Sequence, residues 1–122
     1  MSAFLSKSKY LVGIQCPKLL WHHYNAKDQL PAVDERTQAV FNQGHAVGEL
    51  AKKLYPGGLD VEWDVGFSEV LRLSQDLLVQ RKPLFEAGFM SNQTYARVDV
   101  LVPAEDDQWD IVEVKMGSSV KE

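Results

Sequence analysis

The chain has 122 residues, 45% of them hydrophobic and 25% charged, which is one domain's worth of an ordinary globular protein rather than a disordered or low-complexity segment. Its net charge of −4 argues against a protein that grips nucleic acid through bulk positive charge, although carboxylates gathered at a metal site would give the same balance. A lone cysteine, Cys16, excludes a disulfide framework and fits a reducing compartment; no run reaches the roughly 18 apolar residues of a membrane span and the N-terminus lacks a signal-peptide core, so the expected location is the cytoplasm.

Ser6 is placed to cap a short helix running through Tyr10 toward Gly13, and Cys16-Pro17 opens a second helix through Leu20, Trp21 and Tyr24. Residues 26–33 are polar, contain Pro31 and read as a loop. Asp34 is the expected N-cap of the longest helix, over residues 35–55, which Pro56-Gly57-Gly58 stops. Val40, Gly44, Val47, Ala51 and Leu54 recur at helical spacing and predict a buried stripe on it. Residues 59–65 alternate and predict a short strand; Ser68 is the expected cap of a further helix ending before Pro83.

The period then changes. Residues 84–90, 95–102 and 109–116 predict three strands, with turns at Ser91-Asn92 and over residues 104–108. Helices first and a meander after them predict an α/β chain in α+β order, helices flanking a mixed sheet. In a strand, residues two apart share a face, so Arg97, Asp99 and Leu101 are expected together, opposite Val98, Val100 and Val102. Glu113 and Lys115 share a face with Trp109 and Ile111. A hairpin symmetric about Asp106 sets Asp99 against Glu113, an unfavourable pair of like charges; a two-residue shift sets Arg97 against Glu113 instead. Both registers are open.

The charges on this hairpin read first as surface ion pairs on a half-solvated sheet, a common pattern. They read second as a site for a hard divalent cation between Asp99 and Glu113, because two carboxylates on a mainly apolar face are costly unless something positive neutralises them. Lys115, two residues from Glu113, would then orient or deprotonate an attacking water.

Val98-Asp99 followed by Glu113-Val114-Lys115 in an apolar strand resembles motifs II and III of the PD-(D/E)XK nucleases. FNQGHAVGELA, residues 41–51, and KSKYLVGIQCPKLLWHHYN, residues 7–25, are similar to the RecB-like branch, which includes the CRISPR-adaptation nucleases; with LFEAGF, ARVDVLVP and WDIVEVK they look like the N-terminal part of an uncharacterised bacterial group with such a domain. The resemblance implies a restriction-endonuclease-like core and metal-dependent hydrolysis of DNA. It implies magnesium or manganese bound by His45, Asp99 and Glu113, with Lys115 assisting the chemistry. It divides the chain into a helix pair and loop over residues 1–33, a helical part with the motif-I histidine over 34–82, and strands with motifs II and III over 83–122. It also implies a following helix with a glutamine and a tyrosine, so the expectation is a fold incomplete at the C-terminus, weak or inactive by itself, with an exposed edge strand open to self-association.

Other candidates carry less. His45 and Glu49 share a helix side near Lys52, and Glu49 reads as a solvated neighbour or a supporting group. Glu86, in the otherwise apolar LFEAGFM, is either an edge residue or a supporting ligand or partner of Lys115. Cys16 before proline resembles one ligand of an iron–sulfur cluster, expected only in a longer protein; by itself it reads as a small buried hydrophobe. His22 and His23 are adjacent, cannot share a helix face and read as structural or exposed, and Trp21, Trp63 and Trp109 read as core rather than base-stacking residues. The rival functions are a catalytically silent nucleic-acid- or protein-binding module that keeps the fold, and an inactive fragment of a larger nuclease.

Overall fold

The computed structural model describes residues 4–117. Among them are four helices and an open mixed sheet of five strands, in α+β order. Strand β1 (Leu5–Ser6) leads into α1 (Lys7–Gln15) and α2 (Pro17–Asn25). A single 3₁₀ turn (Lys27–Gln29) precedes α3 (Glu35–Lys52), then β2 (Leu59–Asp60), α4 (Phe67–Leu78), β3 (Leu84–Ser91), β4 (Thr94–Pro103) and β5 (Trp109–Val112).

Two caps form as the residue types dictate. The Ser6 hydroxyl accepts from the Lys9 N–H at 3.2 Å, and the Asp34 carboxylate from the Thr37 N–H at 2.7 Å. Two other helix expectations are corrected. Ser68 is not the cap: it lies inside α4, which starts two residues earlier than expected, at Phe67, with its N-cap Gly66 at φ +96°, a conformation that a residue with a Cβ rarely adopts. Helix α3 ends at Lys52 rather than at residue 55, because tight turns (Tyr55 N–H to the Lys52 carbonyl, Gly58 N–H to the Tyr55 carbonyl) replace its last helical bonds.

Strand β4 is the sheet's centre. It pairs antiparallel with β3 along one side, and on its other side β1 takes Thr94 and Tyr95 while β5 takes residues 100–103. Strand β2 adds parallel to β3 at Leu84 and Phe85. The parallel strand β1 was not legible in advance, being only two residues long. Strand β2 covers two residues, not the whole of 59–65, and β5 stops at Val112, not 116. The β3–β4 turn is Asn92-Gln93, one residue later than expected; both residues have positive φ, as a two-residue type I′ hairpin loop requires.

Helix α4 closes one face of the sheet. Val70, with Leu73 and Leu77 beside it, packs on Leu84, Ala87 and Leu101, and Val61 and Trp63 seal the side. Gly88 lets α4 come close: a Cβ there would meet Val70 at 3.1 Å and Trp63 at 3.2 Å. The fully buried Ser74 locks the contact, its hydroxyl donating to the Val70 carbonyl at 2.8 Å and accepting from the Gly88 N–H at 2.9 Å. At the N-terminal end Phe4 stacks on Phe67 at 4.7 Å, with Tyr95 edge-on to both, and Tyr24 donates its hydroxyl to the Phe4 carbonyl.

The largest correction concerns α3. None of its residues is buried, and Val40 and Leu54 of the expected stripe are 50% and 76% exposed. Of the stripe, Val40 and Gly44 line a cleft over the second face of the sheet, in company with Gln38, His45, Glu49 and Lys52, instead of a packed core.

Ser74→Ala removes the hydroxyl to which the buried Gly88 N–H donates while keeping the helix, so it is expected to destabilise the fold by about 1–3 kcal/mol. Urea denaturation at neutral pH checks this, and a loss below about 0.5 kcal/mol would mean that the Gly88 N–H is satisfied elsewhere.

Candidate metal centre in the cleft beneath helix α3

The cleft has a volume of about 640 Å³ and runs between α3 and strands β3 and β4. Helix α3 presents His45 and Glu49 to it, β3 presents Glu86, β4 presents Arg97 and Asp99, and the segment after β5 presents Val114 and Met116.

Strict alternation would not produce this arrangement. Val98 and Leu101 both pack on the core, although they are three apart, and the adjacent Asp99 and Val100 both line the cleft. The expected grouping of Asp99 with Leu101 therefore fails, and so does that of Val98 with Val100. The cause is visible across the ladder. Pairing runs from Leu84–Leu101 to Phe85–Val100 and resumes at Ala87–Val98, while Glu86, at φ +61°, lies between. A left-handed residue inside a strand interrupts the pleat and re-aims its neighbours. Glu86 and Asp99 are both released toward the cleft at this point.

The β4–β5 register is the symmetric one, with Leu101 opposite Ile111 and Val100 opposite Val112. Arg81 supports it: its guanidinium donates to the Ala104 and Gln108 carbonyls at 2.6 and 3.1 Å and lies over the Trp109 ring. The like-charge conflict expected of this register is relieved because the ladder ends at Val112. Asp99 turns to accept the Val114 N–H at 2.8 Å, and Glu113 pairs with Lys7 of α1 and with Lys115 at 3.1 Å. These ion pairs, the Lys7 contact first and Lys115 second, hold the Glu113 carboxyl below the usual glutamate range.

The structure thus brings His45, Glu49, Glu86 and Asp99 to one cleft and leaves Glu113 and Lys115 outside its lining, attached through Val114. Glu49 is engaged by Lys52 at 2.8 Å. Glu86 pairs with Arg97, not with Lys115. Cys16 is half-buried at the junction of α1 and α2, where its backbone serves as the N-cap of α2. The His22 ring donates to the Lys18 carbonyl of its own helix at 2.8 Å, and His23 accepts from the Lys9 ammonium at 3.2 Å; burial first, then Lys9 and Lys27, lowers the His23 pKa. Trp63 and Trp109 pack against the core, whereas Trp21 is 55% exposed. The residues sequence reasoning missed are Lys7, Trp63 and Arg97. Lys7 is separated from Glu113 by 106 positions and left no local trace, but a glutamate beside Ala87-Gly88 in an apolar strand was a signal for a partnered carboxylate.

In kind, an imidazole and several carboxylates suit a hard divalent cation. In arrangement, no three His, Cys, Asp or Glu groups among the described residues stand close enough together to hold a metal ion. Each of Glu49, Glu86 and Glu113 is neutralised by a cation of the protein. A metal ion would have to compete with those partners. No family model matches the chain, and no curated protein and no solved structure matches it.

A carboxyl with a depressed folded-state pKa contributes stability above its unfolded value, about 4.3, and loses it as the pH falls through the folded value. Glu113 is therefore expected to titrate below the ordinary range, and Lys7→Ala should move it back up. Carbon-detected NMR titration of the Glu113 carboxyl checks this, and an unchanged midpoint in the variant would show that Lys7 does not hold the group.

Proposed function

We propose that the cleft beneath α3 is a metal-dependent site for phosphodiester hydrolysis of the PD-(D/E)XK kind, acting on DNA. The observation that carries the reading is the convergence of His45, from a helix, and Asp99, from a displaced position in the central strand, on one cleft bordered by the Glu113-Val114-Lys115 segment. That is the set of residues the motif resemblance selects, and the three come from distant parts of the chain.

Magnesium or manganese held by His45, Asp99 and Glu113 would neutralise phosphate charge and polarise the scissile bond. The protein's own contributions follow from its residues. Asp99 is backed by the core valine and leucine on either side of the displaced position, and its bond to the Val114 N–H ties the E-x-K segment to β4. Glu113, paired with Lys7 in this structure, would supply a further carboxylate to such an ion. Lys115, exposed and two residues along, is then free to orient the attacking water and to meet charge developing on the phosphate.

A second reading, a nuclease-like module that binds without catalysis, is favoured by one observation: Glu113 pairs with both Lys115 and Lys7. In that reading the ion pairs are structural and no cation enters.

Calorimetric titration with magnesium and with manganese separates the two. The proposal predicts saturable binding, weakened more than about tenfold in Asp99→Asn, whose neutral amide lacks the charge that holds a hard cation. Cleavage of single- and double-stranded DNA with manganese should fall on Lys115→Ala while cation binding persists. Unchanged binding in Asp99→Asn would overturn the site, and unchanged cleavage in Lys115→Ala would overturn the role of the lysine.

A further inference from the structure

The acidic balance of the chain conceals a basic element. None of its 17 carboxylates precedes Asp28, whereas Lys7, Lys9, Lys18 and Lys27 all do, with His22 and His23 among them. These residues make up α1, α2 and the 3₁₀ turn after them. A positively charged helix pair thus stands on a chain of net charge −4.

Most of that charge is left without a counter-ion. Among the described residues Lys7 pairs with Glu113, while Lys9, Lys18 and Lys27 form no ion pair. Lys9 meets the His23 ring at 3.2 Å, and Lys27 is near enough to help hold the His23 pKa down, after burial and Lys9. Aromatic surface accompanies the charge. Tyr10 and Trp21 are each 55% exposed, and helical spacing sets Tyr10 on one side with Lys7 and Trp21 on one side with Lys18. An indole left in water forgoes the burial that its size would contribute. Flat faces open to solvent beside unpaired ammonium groups are what a single nucleic-acid strand requires, the first for its bases and the second for its phosphates.

Position connects this surface to the cleft. Strand β1, directly before α1, pairs with β4 on the side that β5 also takes, and Lys7 reaches Glu113. Helix α1 therefore begins beside the Glu113-Val114-Lys115 segment.

We propose that the exposed surface of the α1–α2 pair is a binding track for single-stranded DNA, with Trp21 stacking on an unpaired base and Lys9, Lys18 and Lys27 meeting phosphates. The inference rests on the proposed nuclease site for the strand's role as substrate, and it names the form of DNA that the site receives. A duplex keeps its base faces stacked on one another and offers the same lysines only phosphates.

Binding of fluorescein-labelled oligothymidylate to the whole chain, measured in EDTA so that no metal-dependent cleavage occurs, tests this. The wild type should bind saturably, quench its tryptophan emission and weaken as salt is raised. Trp21→Ala should weaken binding on the order of tenfold. Trp21→Phe should restore most of the affinity while removing the quenching. Lys18→Gln combined with Lys27→Gln should reduce the dependence of log Kd on log salt by about 1.4, the share of two phosphate contacts on a single strand. Lys82→Gln, outside the helix pair, should leave that dependence unchanged. A wild type that binds no oligothymidylate, or binding that neither Trp21→Ala nor the double lysine change reduces, overturns the proposal. So does tighter binding to phosphatidylserine vesicles than to oligothymidylate, which would assign the surface to an anionic membrane. If the strand binds as described but manganese brings no cleavage, the nuclease reading fails and the binding track stands. If manganese brings cleavage while Trp21→Ala and the double lysine change bind as the wild type does, the track fails and the nuclease reading stands.

Discussion

Glu86 sits at φ +61° between two halves of an otherwise regular ladder, and its carbonyl is held by the Trp63 indole. The architecture around the cleft depends on that constraint. If β3 kept its pleat, Glu86 and Asp99 would have to alternate in step with their neighbours, and Val98 and Leu101 could not both reach α4. The lapse in pairing lets the strand pair serve two masters: an apolar face with Leu84, Ala87, Val98 and Leu101 against α4, and a polar face with Glu86, Arg97 and Asp99 toward α3. The cost of one strained residue is offset by burial on one side and by the ion pair and indole contact on the other.

The two faces differ in how firmly they are made. The α4 face is a small, closed core with a buried hydroxyl joining helix to strand, and Leu84, Val70 and Ser74 are fully buried in it. The α3 face is open. Helix α3 is secured by its Asp34 cap and by Lys52, which bridges Glu49 and Asp60 across the turn into β2. It brings apolar and polar side chains to the rim of a cleft without closing it. Low local packing of this kind is where ligand-responsive movement is concentrated in folded proteins.

Much of this was legible in the sequence wherever local chemistry decides the outcome. The caps at Ser6 and Asp34, proline at the start of α2, the three consecutive strands and the α+β order follow from residue type and period. The symmetric register was one of two open readings, and long-range contacts settled it: Arg81 on the β4–β5 connection and Lys7 on Glu113. Side-chain direction within β4 was misread, because the two-residue rule carries no knowledge of a left-handed partner on β3. The α3 stripe was legible as a stripe but not as a cleft wall, since helical period reports a shared side and not what lies opposite. Among the candidate site residues, Asp99 and Glu86 stood out as carboxylates in apolar strands, whereas type and spacing alone read His45 and Glu49 as a solvated helix face and only the resemblance brought His45 forward; the structure brings all four to one cleft. Lys52 beside Glu49 was legible at helical spacing, but the pairing of Arg97 with Glu86 and of Lys7 with Glu113 was not, because each joins different elements.

The account turns on where a divalent ion settles. Substoichiometric manganese added to nitrogen-15-labelled protein locates it directly, since paramagnetic broadening falls steeply with distance from the ion. The account predicts that the amide signals of Glu86, Asp99 and Val114 broaden first, followed by those around His45 in α3, while those of α4 stay sharp. Broadening that begins instead in the acidic run Asp60, Glu62 and Asp64, or at Asp106 and Asp107 in the β4–β5 turn, would place the ion outside the cleft and contradict it.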